Sequence, residues 1–202
     1  YQSVEKEGLL FGRLDHPNIP PVHMVGQDGE GHACLVMKLI EGTDLRSMIS
    51  DPKHPRWDDV DGSPSMWLLD VFIQVTLAVE HAHSNNILHR DIKTENIMVG
   101  DFGQVFLIDW GIAIDMNEPG AAITTGKFVG TPCFAAPEMA TEGVQLDQRT
   151  DVYLLGAMLL EMISGGVLFK GRSLKEILHR VRTGKREELP ATVPNALTQI
   201  IY

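Results

Sequence analysis

Apolar positions recur along this chain with two different periods, and each change of period marks an element. Val4, Leu10, Phe11 and Leu14 fall at helical spacing, which predicts a helix that stops at Asp15-His16-Pro17-Asn18, since proline excludes helix from the residue before it. Residues 19–25 and 33–40 are apolar runs on either side of Gln27-Asp28-Gly29-Glu30-Gly31, the pattern of a hairpin. Pro20 and Pro21 confine its first strand to an edge. Residues 51–64 hold three prolines and a glycine and read as a loop, after which Ser63 and Pro64 open a helix. Its apolar face is expected at Leu69, Phe72, Ile73, Thr76, Val79 and His83, and Asn85-Asn86 ends it.

Short strands are expected at 97–99 and 105–108, joined by Gly100-Asp101-Phe102-Gly103. Residues 111–135 carry neither period, and a long irregular segment in a compact domain is usually functional. Residues 150–163 are almost wholly apolar and predict a central helix stopped by Gly165-Gly166. Ser173 and Glu176 form a capping-box pattern for a last helix ending near Gly184.

A helix and hairpin followed by mostly helical sequence predict an α+β chain of two lobes. Residues 1–40 would form a small lobe and residues 41–202 a larger α-rich one, hinged at 38–42. Composition fits: 44% of the 202 residues are hydrophobic and 22% charged, a globular balance. The net charge of −10 is the wrong sign for a surface that grips a polyphosphate backbone, so no nucleic-acid partner is expected. Cys34 and Cys133 stand far apart, which excludes a disulfide framework and a CxxC zinc site and suits a reducing, cytoplasmic setting. The longest apolar run, residues 152–160, is about half of what spans a bilayer, so no membrane segment is expected. The chain starts at Tyr1, and its last residues are apolar without a cap, the pattern of a piece cut at both ends.

The chemistry is densest in His89-Arg90-Asp91-Ile92-Lys93-Thr94-Glu95-Asn96, which puts a carboxylate, two cations and an amide between an amphipathic helix and a strand. Phosphoryl transfer needs a carboxylate to orient the attacking hydroxyl, a cation for the developing charge, and oxygen ligands for magnesium. This stretch resembles the catalytic loop of protein kinases. The resemblance implies Asp91 as the base, Lys93 as the phosphate contact, Asn96 as a magnesium ligand and His89 as a structural anchor. The family's Asp-Phe-Gly is spelled at Asp101-Phe102-Gly103, but that lies only five residues after Asn96, inside a hairpin turn. Asp109-Trp110-Gly111 follows the second strand and precedes the irregular segment. On this resemblance Asp109 is the second magnesium ligand, with Trp110 as an apolar plug in place of Phe.

Downstream, Gly130-Thr131-Pro132-Cys133-Phe134-Ala135-Ala136-Pro137-Glu138 resembles the end of a kinase activation segment. Thr131 would contact Asp91, and Glu138 would pair with an arginine in a late helix. Asp151 resembles the anchor of the catalytic-loop backbone. Upstream, the same alignment makes Glu7 the regulatory-helix glutamate and Met37 the gatekeeper. It makes the Lys38 carbonyl and Ile40 amide the adenine contacts, Asp44 the ribose contact, and Met98 part of the nucleotide site. Met37 and Met98 are expected in the core. Arg90 would meet a phosphate on Thr124 or Thr125, with Thr125 favoured.

The resemblance is to serine/threonine kinases of the eukaryotic-like bacterial type. It implies a bilobal kinase fold, a partial small lobe of regulatory helix plus hairpin, ATP and Mg2+ as cofactors, and Ser/Thr-bearing protein substrates. The alternatives are a pseudokinase binding module and a small-molecule phosphotransferase. The latter usually has Gly in place of Arg90 and no Ala-Pro-Glu. The glycine-rich loop and ATP lysine are not in the chain, so these 202 residues alone are expected to fold poorly and show no kinase activity.

Overall fold

The computed structural model describes residues 8, 10–188 and 193. Gly8, Leu10 and Phe11 are helical, and the chain leaves that helix as the Leu14 amide turns back to the Phe11 carbonyl at 2.9 Å. Glu7 lies outside the described residues.

The expected hairpin forms from β1 (Val22–Gln27) and β2 (Ala33–Met37), antiparallel. It starts later than the apolar pattern because Pro20 and Pro21 carry no N–H for the ladder; Pro21 contributes only its carbonyl, to the Lys38 amide at 3.0 Å. Asp28 fixes the turn by accepting from the amides of Glu30 and His32 at 2.9 and 2.8 Å.

After the hairpin comes β3 (Gly42–Asp44), too short to show a period. It pairs with β5 (Ile97–Gly100), and β6 (Val105–Leu107) completes that sheet. Gly42 is required there, since a Cβ would lie 2.2 Å from the Val99 carbonyl oxygen. Asp44 caps α1 (Leu45–Ser50). The predicted loop contains a turn of 3-10 helix, Pro55–Asp59, pinned where the Trp57 indole donates to the Met48 carbonyl at 3.0 Å and meets Trp67 edge-on.

α2 (Pro64–Ser84) has Ser63 at its cap position, but that hydroxyl makes no capping hydrogen bond. Its fully buried stripe is Val71, Val75, Ala78, Val79 and Ala82, which shares Val79 with the predicted face; Leu69 and Phe72 are half-buried against the core, Thr76 and His83 half-buried, and Ile73 is 54% exposed. Large apolar residues lie all round this helix, so periodicity did not distinguish the side where small alanines permit close packing on α3 (Gln148–Ser164). α3 is buried along most of its length and ends on Gly165 in the left-handed conformation, φ 66°. α4 (Leu174–Thr183) starts on Ser173, whose hydroxyl accepts from the Glu176 amide at 3.2 Å. The Glu176 carboxylate reaches the Arg172 amide instead of closing a capping box on Ser173. Within the irregular segment, β7 (Ile114–Asp115) pairs with β4 (Ile87–Leu88). One apolar core runs from Leu10 and Phe11 through α2 and the β5–β6 hairpin to α3, Phe169 and Val181. This is the expected α+β arrangement, a small hairpin-bearing part and a mostly helical remainder.

Candidate active site

β4 delivers the chain into the 89–96 loop, and α3 holds that loop from below. The Asp151 carboxylate, fully buried, accepts from the His89 amide and the Arg90 amide, each at 2.9 Å, and from His83 Nε2 at 2.9 Å. The Asp151 carboxylate thus holds two consecutive amides of the 89–96 loop. Arg90 sits at φ 68°, a conformation that costs a non-glycine residue about 1–3 kcal/mol and persists only where neighbours enforce it. Asp151 on its amide and the Ile112 carbonyl on its guanidinium do so.

His89 faces the core. Its Nδ1 accepts from the Asp91 amide and its Nε2 donates to the Ile108 carbonyl, both at 3.2 Å, which fixes the Nε2–H tautomer. Burial pushes its pKa below the ordinary value against the pull of Asp151, so the ring is neutral. It packs 4.5 Å from Trp110, which meets Phe11 edge-on at 5.8 Å. Trp110 is 1% exposed and its indole N–H is satisfied by the Leu107 carbonyl at 3.1 Å. The column Phe11–Trp110–His89 thus links the first helix to the 89–96 loop.

Asp91 is gripped from three directions. Lys93 Nζ donates to Oδ2 at 2.8 Å, Thr131 Oγ1 donates to Oδ1 at 2.7 Å, and Asn96 Nδ2 reaches Oδ2 at 3.1 Å. Burial alone would raise its pKa, but the hydrogen bonds of Lys93 and Thr131, the Lys93 charge and Asn96 outweigh that, and the carboxyl lies below its usual range. It is ionised at neutral pH. Lys93 also donates to Thr131 Oγ1 at 2.7 Å, so it spans Asp91 and the 130–138 segment.

Asp109 is exposed, with φ 61°, and among the described residues receives only a long 3.4 Å bond from the Gly111 amide. Asn96 directs Nδ2 at the Asp91 carbonyl, 2.7 Å, and its Oδ1 has no hydrogen-bond partner among the described residues. The rival Asp101 is paired with Arg56 in a surface turn whose Phe102 is 98% exposed.

Other expected residues fall differently. Met37 is exposed and Met98 half-buried, so neither belongs to the closed core; both stand at strand positions facing away from it. Lys38 lays its ammonium over the Phe106 ring at 4.7 Å, while its carbonyl and the Ile40 amide have no hydrogen-bond partner among the described residues. Asp44 directs its carboxylate at the Ser47 amide and hydroxyl, 2.8 and 2.7 Å, the work of a helix cap. Thr124 donates to the Thr141 carbonyl and accepts from the Val144 amide at 2.9 Å, which makes it a structural tie, whereas Thr125 is exposed. Glu138, expected to await an arginine, accepts from Thr150 Oγ1 at 2.9 Å.

Two positioning residues escaped sequence reasoning. Glu161, buried on α3, accepts from Thr94 in the 89–96 loop and from Arg46 on α1; burial pushes its carboxyl pKa up despite both. A lone acid inside an apolar helix was the available signal. Arg13 bridges Asp115 on β7 and the Asn85 carbonyl, the latter at 2.6 Å, which ties the end of the first helix to the start of the irregular segment. Nothing in its local sequence marks it.

A family model described as the protein kinase domain matches residues 1–199. The chain is 31% identical over 203 residues to serine/threonine-protein kinase PknD of Chlamydia trachomatis, covering 89% of this chain and 22% of that protein. It is 32% identical over 204 residues to serine/threonine-protein kinase PrkC of Bacillus subtilis, covering 97% of this chain and 29% of that protein. It is 32% identical over 190 residues to serine/threonine-protein kinase Nek3 of Mus musculus, covering 94% of this chain and 35% of that protein. The chain therefore spans about a fifth to a third of the length of these relatives.

Proposed function

Since this chain belongs to the protein kinase domain family, we propose that it carries out serine/threonine phosphorylation, moving the ATP γ-phosphoryl group to Ser or Thr hydroxyls of protein substrates. The carrying observation is the Asp91 carboxylate, ionised and clamped by Lys93, Thr131 and Asn96. A carboxylate so held orients an incoming hydroxyl and takes its hydrogen bond, and Lys93 beside it meets negative charge as it develops. Thr131 ties that pair to the activation segment, so placement of the segment and of the base are one event.

Asn96 and Asp109 would hold Mg2+. Their free oxygens are hard donors, and two protein ligands suit an ion that keeps waters and phosphate oxygens as its other ligands. When bound, that ion supplies charge neutralisation on the phosphates. The Lys38 carbonyl and Ile40 amide would face adenine, with Met37, Met98 and Asp44 around the nucleoside and Glu7 ordering the small lobe. Thr125 is the regulatory position that the structure supports best. It lines a small pocket with Arg90 and Lys127, where a phosphate would gain charge-assisted hydrogen bonds. No described helix is long and apolar enough to cross a membrane. A cytoplasmic location and the division into lobes at residues 40 and 41 belong to this proposal.

The test is transfer of label from γ-labelled ATP to a serine- and threonine-bearing protein by the full-length protein in Mg2+. Asp91→Asn should lower turnover by roughly 10²- to 10⁴-fold with little change in ATP affinity. ATP binding without any transfer by the native protein would leave a pseudokinase and overturn the proposal.

A further inference from the structure

A cleft of about 720 Å3 lies between α1, the 51–64 loop, the start of α2 and the β5–β6 turn, built from none of the residues assigned to phosphoryl transfer. Its apolar lining is Met48, Val60, Trp67 and Val99. Phe102 stands beside them, 98% exposed and at φ 63°. A phenylalanine at positive φ is a backbone outlier, and leaving its ring in water forgoes burial worth about 1.5–3 kcal/mol. Two unfavourable features at one residue, with no use for it inside the fold, point outward.

The cleft is also charged. Asp59, Asp61, Asp70 and Asp101 line it against a single cation, Arg56. Arg56 is already engaged, bonded to Asp101 and 3.7 Å from Asp59. Asp61 and Asp70 have no ion-pair partner among the described residues. Surplus carboxylates on separate elements, flanking an apolar floor, match a ligand with spaced cations and an apolar group between or beside them. An extended peptide has that layout, and phosphate-bearing ligands are repelled.

We propose that this cleft docks an extended basic segment of a protein partner, with lysine or arginine on Asp61 and Asp70 and an apolar side chain between Phe102 and Trp67. Where the kinase reading also holds, β5 connects the two sites, since Val99 and Gly100 line the cleft and the strand starts one residue after Asn96.

The test is fluorescence anisotropy with the full-length protein and a labelled peptide of about ten residues, two lysines and two leucines in a Ser/Gly background. Binding does not depend on catalysis, so its failure and failure of the kinase reading are separate results. Saturable binding is expected, weakened by about tenfold or more in Asp61→Asn/Asp70→Asn and again in Phe102→Asn. Asparagine tolerates positive φ, so the second variant keeps the turn. A control, Glu30→Gln/Glu188→Gln, removes the same charge elsewhere and should bind as the native protein does. Phosphorylation of a short peptide lacking the basic segment should be unchanged in all three. Absence of saturable binding, or equal weakening in the control, would overturn the proposal. So would self-association of the native protein that Phe102→Asn abolishes, which would assign the cleft to a second copy.

Discussion

Asp151 is the residue whose removal tests the most of this architecture at once. Asp151→Ala deletes one carboxylate and leaves two loop amides, His89 and Arg90, without their acceptor. Each buried N–H left unpaired costs about 1–3 kcal/mol, so the pair gives about 2–6 kcal/mol. His83 can turn its Nε2 toward solvent and adds little. The middle of that range is a large share of the 5–15 kcal/mol that holds a typical domain. The catalytic consequence is separate from the thermodynamic one. Arg90 at φ 68° is freed to relax, and Asp91, the next residue, moves with it. A displacement of about 1 Å at a reacting group costs on the order of 10²-fold. Asp151→Asn keeps one acceptor oxygen and should fall between the native protein and Asp151→Ala in both respects. Urea unfolding followed by tryptophan fluorescence reads the first quantity, and phosphotransfer well below the unfolding transition reads the second. A lowered urea midpoint with activity still near native would mean that Asp151 supports the fold without placing Asp91. An unchanged midpoint would refute the hydrogen-bond accounting itself.

Asp109→Ala should abolish phosphotransfer while Asp101→Ala, which loses only a surface pair with Arg56, keeps most of it; equal losses would sink the choice of Asp109 as the metal ligand. The folded Asp91 carboxyl titrates below its unfolded value, so its contribution to stability is full above about pH 4 and is lost as pH falls through the lowered value. Thr131→Val removes one of the bonds that lowers it, and should shift the acid limb of the pH–stability curve upward; an unmoved limb would contradict the assignment. Glu161 has the opposite sign. Its folded pKa is raised by burial, so its ionised form opposes folding above the unfolded value and that opposition fades as pH falls through the raised one. Glu161→Gln should therefore unfold at the same or a higher urea concentration than the native protein at neutral pH, with the gap closing on acidification. A clear loss of stability at neutral pH would show the pair with Arg46 to be net favourable.

Much of the site was legible because its parts are local in sequence. The loop from His89 to Asn96 carries carboxylate, cation and amide within eight residues, and the preference for Asp109 over Asp101 followed from counting strands. Elements bounded by proline and glycine were legible for the same reason: Pro20 and Pro21 placed β1 at an edge, and Gly165 stopped α3 where the chain must turn left-handed. Local chemistry alone dictates these, since φ restriction and loss of an N–H need no partner.

Only the tertiary structure decided what depends on an approach between distant segments. Which side of α2 is buried was set by where α3 lies, because apolar residues surround that helix and only the neighbour chooses among them. β3 exists because β5 offers it a ladder, and three residues have no period of their own. Thr124 and Thr125 are identical in kind and adjacent, yet one is bound into the fold through Thr141 and Val144 while the other faces water. Glu161 and Arg13 act across 67 and 102 positions of chain, on Thr94 and Asp115. A side chain's hydrogen-bonding capacity is written in its type, but its partner is fixed only when folding brings a second group within about 3 Å and removes the water between them.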